Sequence, residues 1–293
     1  MLKLHLVGAG TPTPSALRFG TCYLVDPGGP LLMFDCGPAA TYKMVRMGLW
    51  PAQVGHLFFS HHHFDHNADY PCFVLCRWDQ GAGQDKPLKV WGPSPTSRVT
   101  ERLFSEGGAF HPDWEARVEH PGSQEIYRKR GGLLPRRPPR LEVEELEAGG
   151  SVDGPGWRVT WARVRHIEPL MTTLAYRLET GNRSLVISSD TGECESIVAL
   201  ARGAETLLAH CWDVQARMGQ FEAGMITGTV GAAKIAARAK VGRLILSHLG
   251  PALDRPEERE RAMAEVARIF KGKIIFGREL ETLDLEKDPL ESA

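Results

Sequence analysis

The sequence predicts an α+β protein, and three observations point there. Short apolar segments of strand character recur along the chain and dominate its first part. They alternate with segments of helical period in both halves. Several of the strands stop at a histidine or aspartate, which puts candidate chemistry at strand ends. At 293 residues, 42% hydrophobic and 24% charged, the chain is long enough for a sizeable core. Its net charge of −1 gives no global attraction to nucleic acid or anionic lipid.

Residues 2–7 alternate as a first strand. Gly8-Ala9-Gly10-Thr11-Pro12 follows without the third glycine of a dinucleotide-binding turn, and prolines stand where its helix would begin. Strands at 21–25 and 31–34 are joined through the turn residues Pro27-Gly28-Gly29-Pro30. Asp35 then leaves the sheet, and 40–47 has the period of a short helix. The apolar run 56–60 reads as a buried strand feeding a tight loop, followed by a helix over 70–78, a strand at 88–91 and a helix over 96–104.

Patterning weakens over 107–156, where six basic residues in 128–140 precede Glu142, Glu144, Glu145 and Glu147. Opposite blocks side by side predict a solvated, self-neutralising surface segment. Its Pro/Gly/Arg-rich composition makes it the expected mobile or subunit-contacting insertion of a single domain spanning 1–293. Strands resume at 157–165, 174–178, 185–187 and 206–209. An Ala-rich helix over 229–239, a strand at 244–246, a helix over 256–270 and strands at 273–276 and 283–285 complete the chain.

The most informative stretch is His61 to His66, in which His61, His63, Asp65 and His66 follow the pattern His-x-His-x-Asp-His. Four of the chain's 11 histidines fall here, and no cysteines at C-x₂₋₄-C spacing flank them as in a closed structural zinc site. At the end of a strand, His61 and His63 can point one way while Asp65 and His66 reach a second point. That suits two adjacent metal ions. Imidazole and carboxylate donors favour zinc, with manganese or iron as alternatives.

This stretch resembles the signature of the metallo-β-lactamase superfamily, and the resemblance extends over nearly the whole chain. It implies an αββα four-layer sandwich, two facing sheets with helices outside. Three further residues match the family pattern: His166 after a strand, Asp190 in Ser189-Asp190-Thr191-Gly192, and His248 after Leu244-Ile245-Leu246-Ser247. By resemblance His61, His63 and His166 hold one divalent ion, Asp65, His66 and His248 the other, and Asp190 bridges them. Asp35 is expected to brace a ligand histidine. Asp65, Asp190 and His210 are the candidate catalytic residues, His210 either as a substrate contact or proton donor or as a satisfied half-buried histidine. A hydroxide bridging two cations about 3.5–4 Å apart would be the nucleophile.

Within the superfamily the chain leans toward the tRNA 3′-processing endonuclease, ribonuclease Z-like, branch. Several of that branch's devices are missing. About two dozen residues separate His166 from Asp190, too few for its basic substrate arm. Its Pro-x-Lys-x-Arg-Asn loop aligns with Pro14 to Phe19, keeping Arg18 but losing the lysine and asparagine. Its Glu/His pair falls near Cys211 and Ile226. The expected function is therefore dinuclear metal-dependent hydrolysis of a small ester, lactone, amide, phosphodiester or sulfate ester, with tRNA processing and non-catalytic metal binding as alternatives. A small-molecule substrate is expected ahead of RNA, with a homodimer as the assembly. The lack of a long apolar run, a signal-like N-terminus or a C-x-x-C pair points to no membrane partner and a reducing cytoplasm.

Overall fold

The computed structural model describes residues 2–84 and 86–286; residues 1, 85 and 287–293 lie outside the described residues. The chain opens with β1 (Lys3–Ala9), β2 (Thr21–Asp26), β3 (Leu31–Phe34), α1 (Ala40–Arg46) and β4 (Val54–Phe58). Then come α2 (Phe64–Asn67), α3 (Tyr70–Gln80), β5 (Leu88–Gly92), α4 (Thr96–Phe104), α5 (His111–Glu119), α6 (Pro121–Lys129) and β6 (Leu141–Glu145). The second half continues with β7 (Gly149–Gly154), β8 (Trp157–Val164), β9 (Thr173–Thr180), β10 (Arg183–Ile187), α7 (Glu195–Ala201) and β11 (Thr206–His210). It closes with α8 (Gln220–Met225), α9 (Thr229–Ala239), β12 (Arg243–Ser247), α10 (Pro256–Ile269), β13 (Lys273–Phe276) and β14 (Glu281–Asp284).

Two seven-stranded mixed sheets result, ordered β14-β1-β2-β3-β4-β5-β6 and β13-β12-β11-β10-β9-β8-β7. Alternation along each strand sends side chains to two different cores. Leu4, Leu6, Tyr23, Leu32, Phe34 and Phe58 face the second sheet and meet Trp157, Tyr176, Leu185, Ile187 and Ile245. The opposite face of the first sheet, including Leu24, Met33 and Leu57, packs under α1 and α3 through Met44, Tyr70 and Phe73. Val186, Leu207, Leu244 and Leu246 turn outward instead, beneath the alanines of α9 and Val266 of α10. Sheets covered on both faces need strands that are apolar throughout, which is why they read as short continuous runs. The expected four-layer αββα arrangement is the one observed.

Residues 107–156 are more ordered than their weak patterning predicts. α5 buries Trp114 alone and α6 buries no residue, so neither shows an apolar stripe. β6 and β7 each form one edge of a sheet and carry exposed Glu and Gly residues. The basic block finds partners other than the glutamates that follow it. Arg130 Nη1 and Arg136 Nη2 donate to the Asp79 carboxylate on α3 at 2.6 and 2.9 Å. The Arg136 guanidinium also lies over the Trp78 ring at 3.9 Å and the Tyr127 ring at 4.7 Å. A buried cation between aromatics thus clamps the segment to α3. The short helices α7 and α8, of seven and six residues, lack enough turns to show a period.

Asp79→Ala should strip the buried Arg136 of its carboxylate partner. Because that carboxylate is 27% exposed, the expected loss is about 2 kcal/mol, below the ~3–5 kcal/mol of a fully buried pair. Urea denaturation checks it, with Asp113→Ala at the exposed Arg117 pair as a control costing under about 0.5 kcal/mol. Equal losses for the two variants would show that the clamp carries no special weight.

Candidate metal centre

The candidate residues converge where strands of both sheets end. β4 runs into Ser60 and His61, β8 leads to His166, β10 to Asp190, β12 to His248, and β11 finishes at His210. The loop from His61 to His66 is pinned by hydrogen bonds that its sequence alone does not reveal. The Ser60 N–H donates to Asp35 Oδ1 and the Ser60 hydroxyl to Asp35 Oδ2, both at 2.7 Å. His66 Nδ1 donates to the same Oδ2 at 2.7 Å, and the Cys36 N–H donates to the His66 carbonyl, also at 2.7 Å. Asp35 therefore braces His66, as expected. The chain passes so close that a Cβ on Gly37 would lie 2.1 Å from the Asp65 carbonyl oxygen, so only glycine fits there. Asp35, Ser189 and His248 all hold left-handed backbone, with φ of 59°, 57° and 52°, a strained conformation for residues with side chains.

Three groups of donor atoms form, each with its atoms within 4.8 Å of one another: His61, His63, His166 and Asp190; Asp65, His66 and His248; and Asp190, His210 and His248. Asp190 joins the first two with one oxygen toward each. Its Oδ2 lies 4.0 Å from His61 Nε2 and 3.6 Å from His166 Nε2. Its Oδ1 lies 3.7 Å from His66 Nε2 and 3.3 Å from His248 Nε2. Asp65 Oδ2 sits 3.5 and 3.3 Å from the same two nitrogens. His63 and His166 are half-buried while the other members are buried, so the centre opens on the side of these two imidazoles.

Burial lowers His61 well below the ordinary histidine range, helped by the neighbouring His66, and lowers His63, helped by His166. Both imidazoles are then neutral, the state that coordinates a metal. Burial alone would raise Asp190, but His248, His66 and His210 outweigh it and hold the carboxylate well below its usual range. Burial works against a charged His66 too, yet Asp35, Asp190 and Asp65 lift it to about 9. The carboxylates thus call for positive charge at this point. His66 Nε2 is buried without a hydrogen-bond partner and faces two carboxylate oxygens, an arrangement that a cation satisfies. The chemistry of the donor set fits a pair of divalent ions, and the buried His/Asp clusters are consistent with a dinuclear site.

His210 lies in a buried network around Asp190. It is fully buried, its Nδ1 donates to Asp190 Oδ1 at 2.5 Å, and Tyr23 Oη lies 3.2 Å from its Nε2. Tyr23 Oη in turn reaches Ser247 Oγ at 2.9 Å. These hydrogen bonds fix the orientation of the Asp190 carboxylate. Burial takes His210 down to about 4 despite the Asp190 hydrogen bond, so the imidazole is neutral. Ser188 accepts from the His210 N–H at 3.0 Å and Thr191 donates to the Gly192 carbonyl at 2.8 Å, both shaping the Asp190 turn. Tyr70 is core, bonded to Thr100 at 3.0 Å, and Trp78 belongs to the Arg136 clamp; neither lines the centre. Tyr23, Ser60 and Ser247 escape sequence reasoning because a hydroxyl in or beside a strand carries no pattern of its own.

Asp35→Ala removes the carboxylate that fixes the His66 ring and that accepts from the Ser60 N–H and hydroxyl. Zinc affinity measured by competition with a chelating dye should fall about 10–100-fold, the usual cost of losing a residue that orients a ligand. Unchanged affinity would mean that the brace serves folding alone.

The matches to known proteins agree with this geometry. Residues 24–249 match the family described as the beta-lactamase superfamily domain. A ribonuclease Z of Mycobacterium bovis is 29% identical over 292 residues, covering 97% of this chain and 99% of that protein. Among solved structures, the metallo-β-lactamase fold protein YhfI of Bacillus subtilis superposes with a TM-score of 0.72 at 19% identity, covering 96% of this chain and 98% of that one. A diphosphatase of the PhnP family superposes with a TM-score of 0.67 at 14% identity, covering 97% and 98%. With the matched region spanning most of the chain and the two-sheet architecture around a buried His/Asp centre, this protein belongs to the metallo-β-lactamase superfamily.

Proposed function

We propose that the protein is a dinuclear metal-dependent hydrolase of a small substrate carrying an ester, lactone, amide, phosphodiester or sulfate ester bond. The observation that carries the reading is Asp190, which turns one carboxylate oxygen to each histidine group. His61, His63 and His166 would hold one divalent ion, most simply zinc, and Asp65, His66 and His248 the second. Such ions supply Lewis acidity and bring a bound water's pKa to about 7. The chain's own residues do the rest. Asp190 offsets the repulsion between two cations. Asp35 and the Met225 carbonyl, 2.9 Å from His166 Nδ1, fix the rings of His66 and His166. His210 and Tyr23 hold Asp190 in place from behind.

A tRNA 3′-processing endonuclease is the second reading, favoured by full-length similarity to a ribonuclease Z. Against it, the residues between His166 and Asp190 are taken up by β9 and β10, an antiparallel pair joined at Gly181. They leave no room for a basic arm to neutralise phosphates. Cleavage of precursor tRNA at physiological salt separates the two: clean 3′ trimming at catalytic enzyme levels would overturn the small-substrate reading.

Purified protein should carry about two transition-metal ions per chain, one for each Asp190 carboxylate oxygen and the histidines that it faces. Asp190→Asn preserves shape but removes charge. It should fold, bind the second ion more weakly, and lose orders of magnitude in kcat with a smaller change in KM, since the bridge acts on the transition state. Metal analysis with steady-state kinetics tests this. Wild-type kcat with both ions retained would refute the bridging role.

A further inference from the structure

Resting on the hydrolase reading, we infer that the group flanking the scissile bond is apolar and uncharged, and that Leu170 and Phe221 select it. The centre opens beside His63 and His166, the two half-buried imidazoles. Three segments are tied to one of those rings or to the loop that carries His63. Phe64 directly follows His63 and is 54% exposed. Ile167, Leu170 and Met171 follow His166; Met171 Sδ receives the His62 N–H at 3.3 Å, and Leu170 is 90% exposed. Phe221 and Met225 belong to α8, whose Met225 carbonyl takes the His166 Nδ1 hydrogen bond, and Phe221 is 81% exposed.

Single exposed apolar residues need no explanation, but large ones on three segments around one opening do. Charge points the same way. Residues 62–68, 167–172 and 218–226 contain no lysine or arginine, so nothing on these segments greets a polyphosphate chain. Their carboxylates are engaged elsewhere: Glu168 accepts from Arg163 at 2.5 Å, Glu222 from the Gly219 N–H at 3.0 Å, and Asp65 faces into the centre. Flexible Met171 and Met225, half-buried on the same segments, suit an aliphatic or aryl group of variable shape. Such a mouth rewards each methylene or ring carbon that it shields from water.

The test uses metal-replete full-length protein and 4-nitrophenyl esters from acetate to octanoate. The octanoate to acetate ratio of kcat/KM should reach about tenfold or more in the wild type. In the Leu170→Ser/Phe221→Ser double variant, checked for unchanged metal content, it should fall toward one. A ratio near one in the wild type, or preference for precursor tRNA over every ester, would overturn the inference. If no ester is turned over, the hydrolase reading is at fault for this bond type, and calorimetric binding of octanamide against acetamide decides the inference instead. Tighter octanamide binding that the double variant loses supports it; equal or absent binding of the two amides overturns it.

Discussion

The central strands of each sheet are buried on both faces, and that constraint organises the molecule. Strands covered on two sides admit few polar side chains along their length. Polar chemistry is therefore displaced to strand ends, where the backbone leaves the ladder and can bend. β4, β8, β10, β11 and β12 all give up a histidine or aspartate within a few residues of their last hydrogen-bonded position. Parallel neighbours bring such ends to one edge: β10, β11 and β12 run side by side in the same direction, so Asp190, His210 and His248 arrive together. The centre is a consequence of sheet direction as much as of residue choice.

Gathering four buried imidazoles, two half-buried ones and two carboxylates carries an electrostatic cost that the surroundings offset. Neutral His61 and His210 avoid mutual repulsion, while Asp190 stays ionised because histidines surround it. Asp35 supplies a further anion at the back of the loop, sharing it between Ser60 and His66. The left-handed backbone at Asp35, Ser189 and His248 shows where local conformational energy is given up to aim these groups.

The clustered donor residues are legible in the sequence because metal chemistry restricts residue type and spacing. His61, His63, Asp65 and His66 lie on one loop, and His166, Asp190 and His248 each follow an apolar run. The strands were legible for the same reason that they are buried. What stayed hidden had no periodic or compositional mark. α5 and α6 lie on the surface with little to bury, β6 and β7 are polar edges, and α7 and α8 are too short for a period. The Arg136 clamp joins residues 57 positions apart, and the His210–Tyr23 contact spans 187, distances over which local patterning is blind. His210 itself was visible as a strand-end histidine, but whether it faces outward or behind Asp190 depends on tertiary packing.

β14 leaves the second half of the chain to pair with β1 in the first sheet. The segment leading into it also carries Glu279, which accepts from the Ala9 and Phe19 N–H groups at 3.3 and 3.0 Å and pairs with Lys43 at 2.9 Å. The start of the chain is thus fastened by residues that a ribosome makes more than 250 positions later. Until they emerge, β1 has an open edge, and the loop after it, beside the His61–His66 cluster, lacks its anchor. The two halves cannot mature one after the other: the first sheet is finished by the last strand of the second.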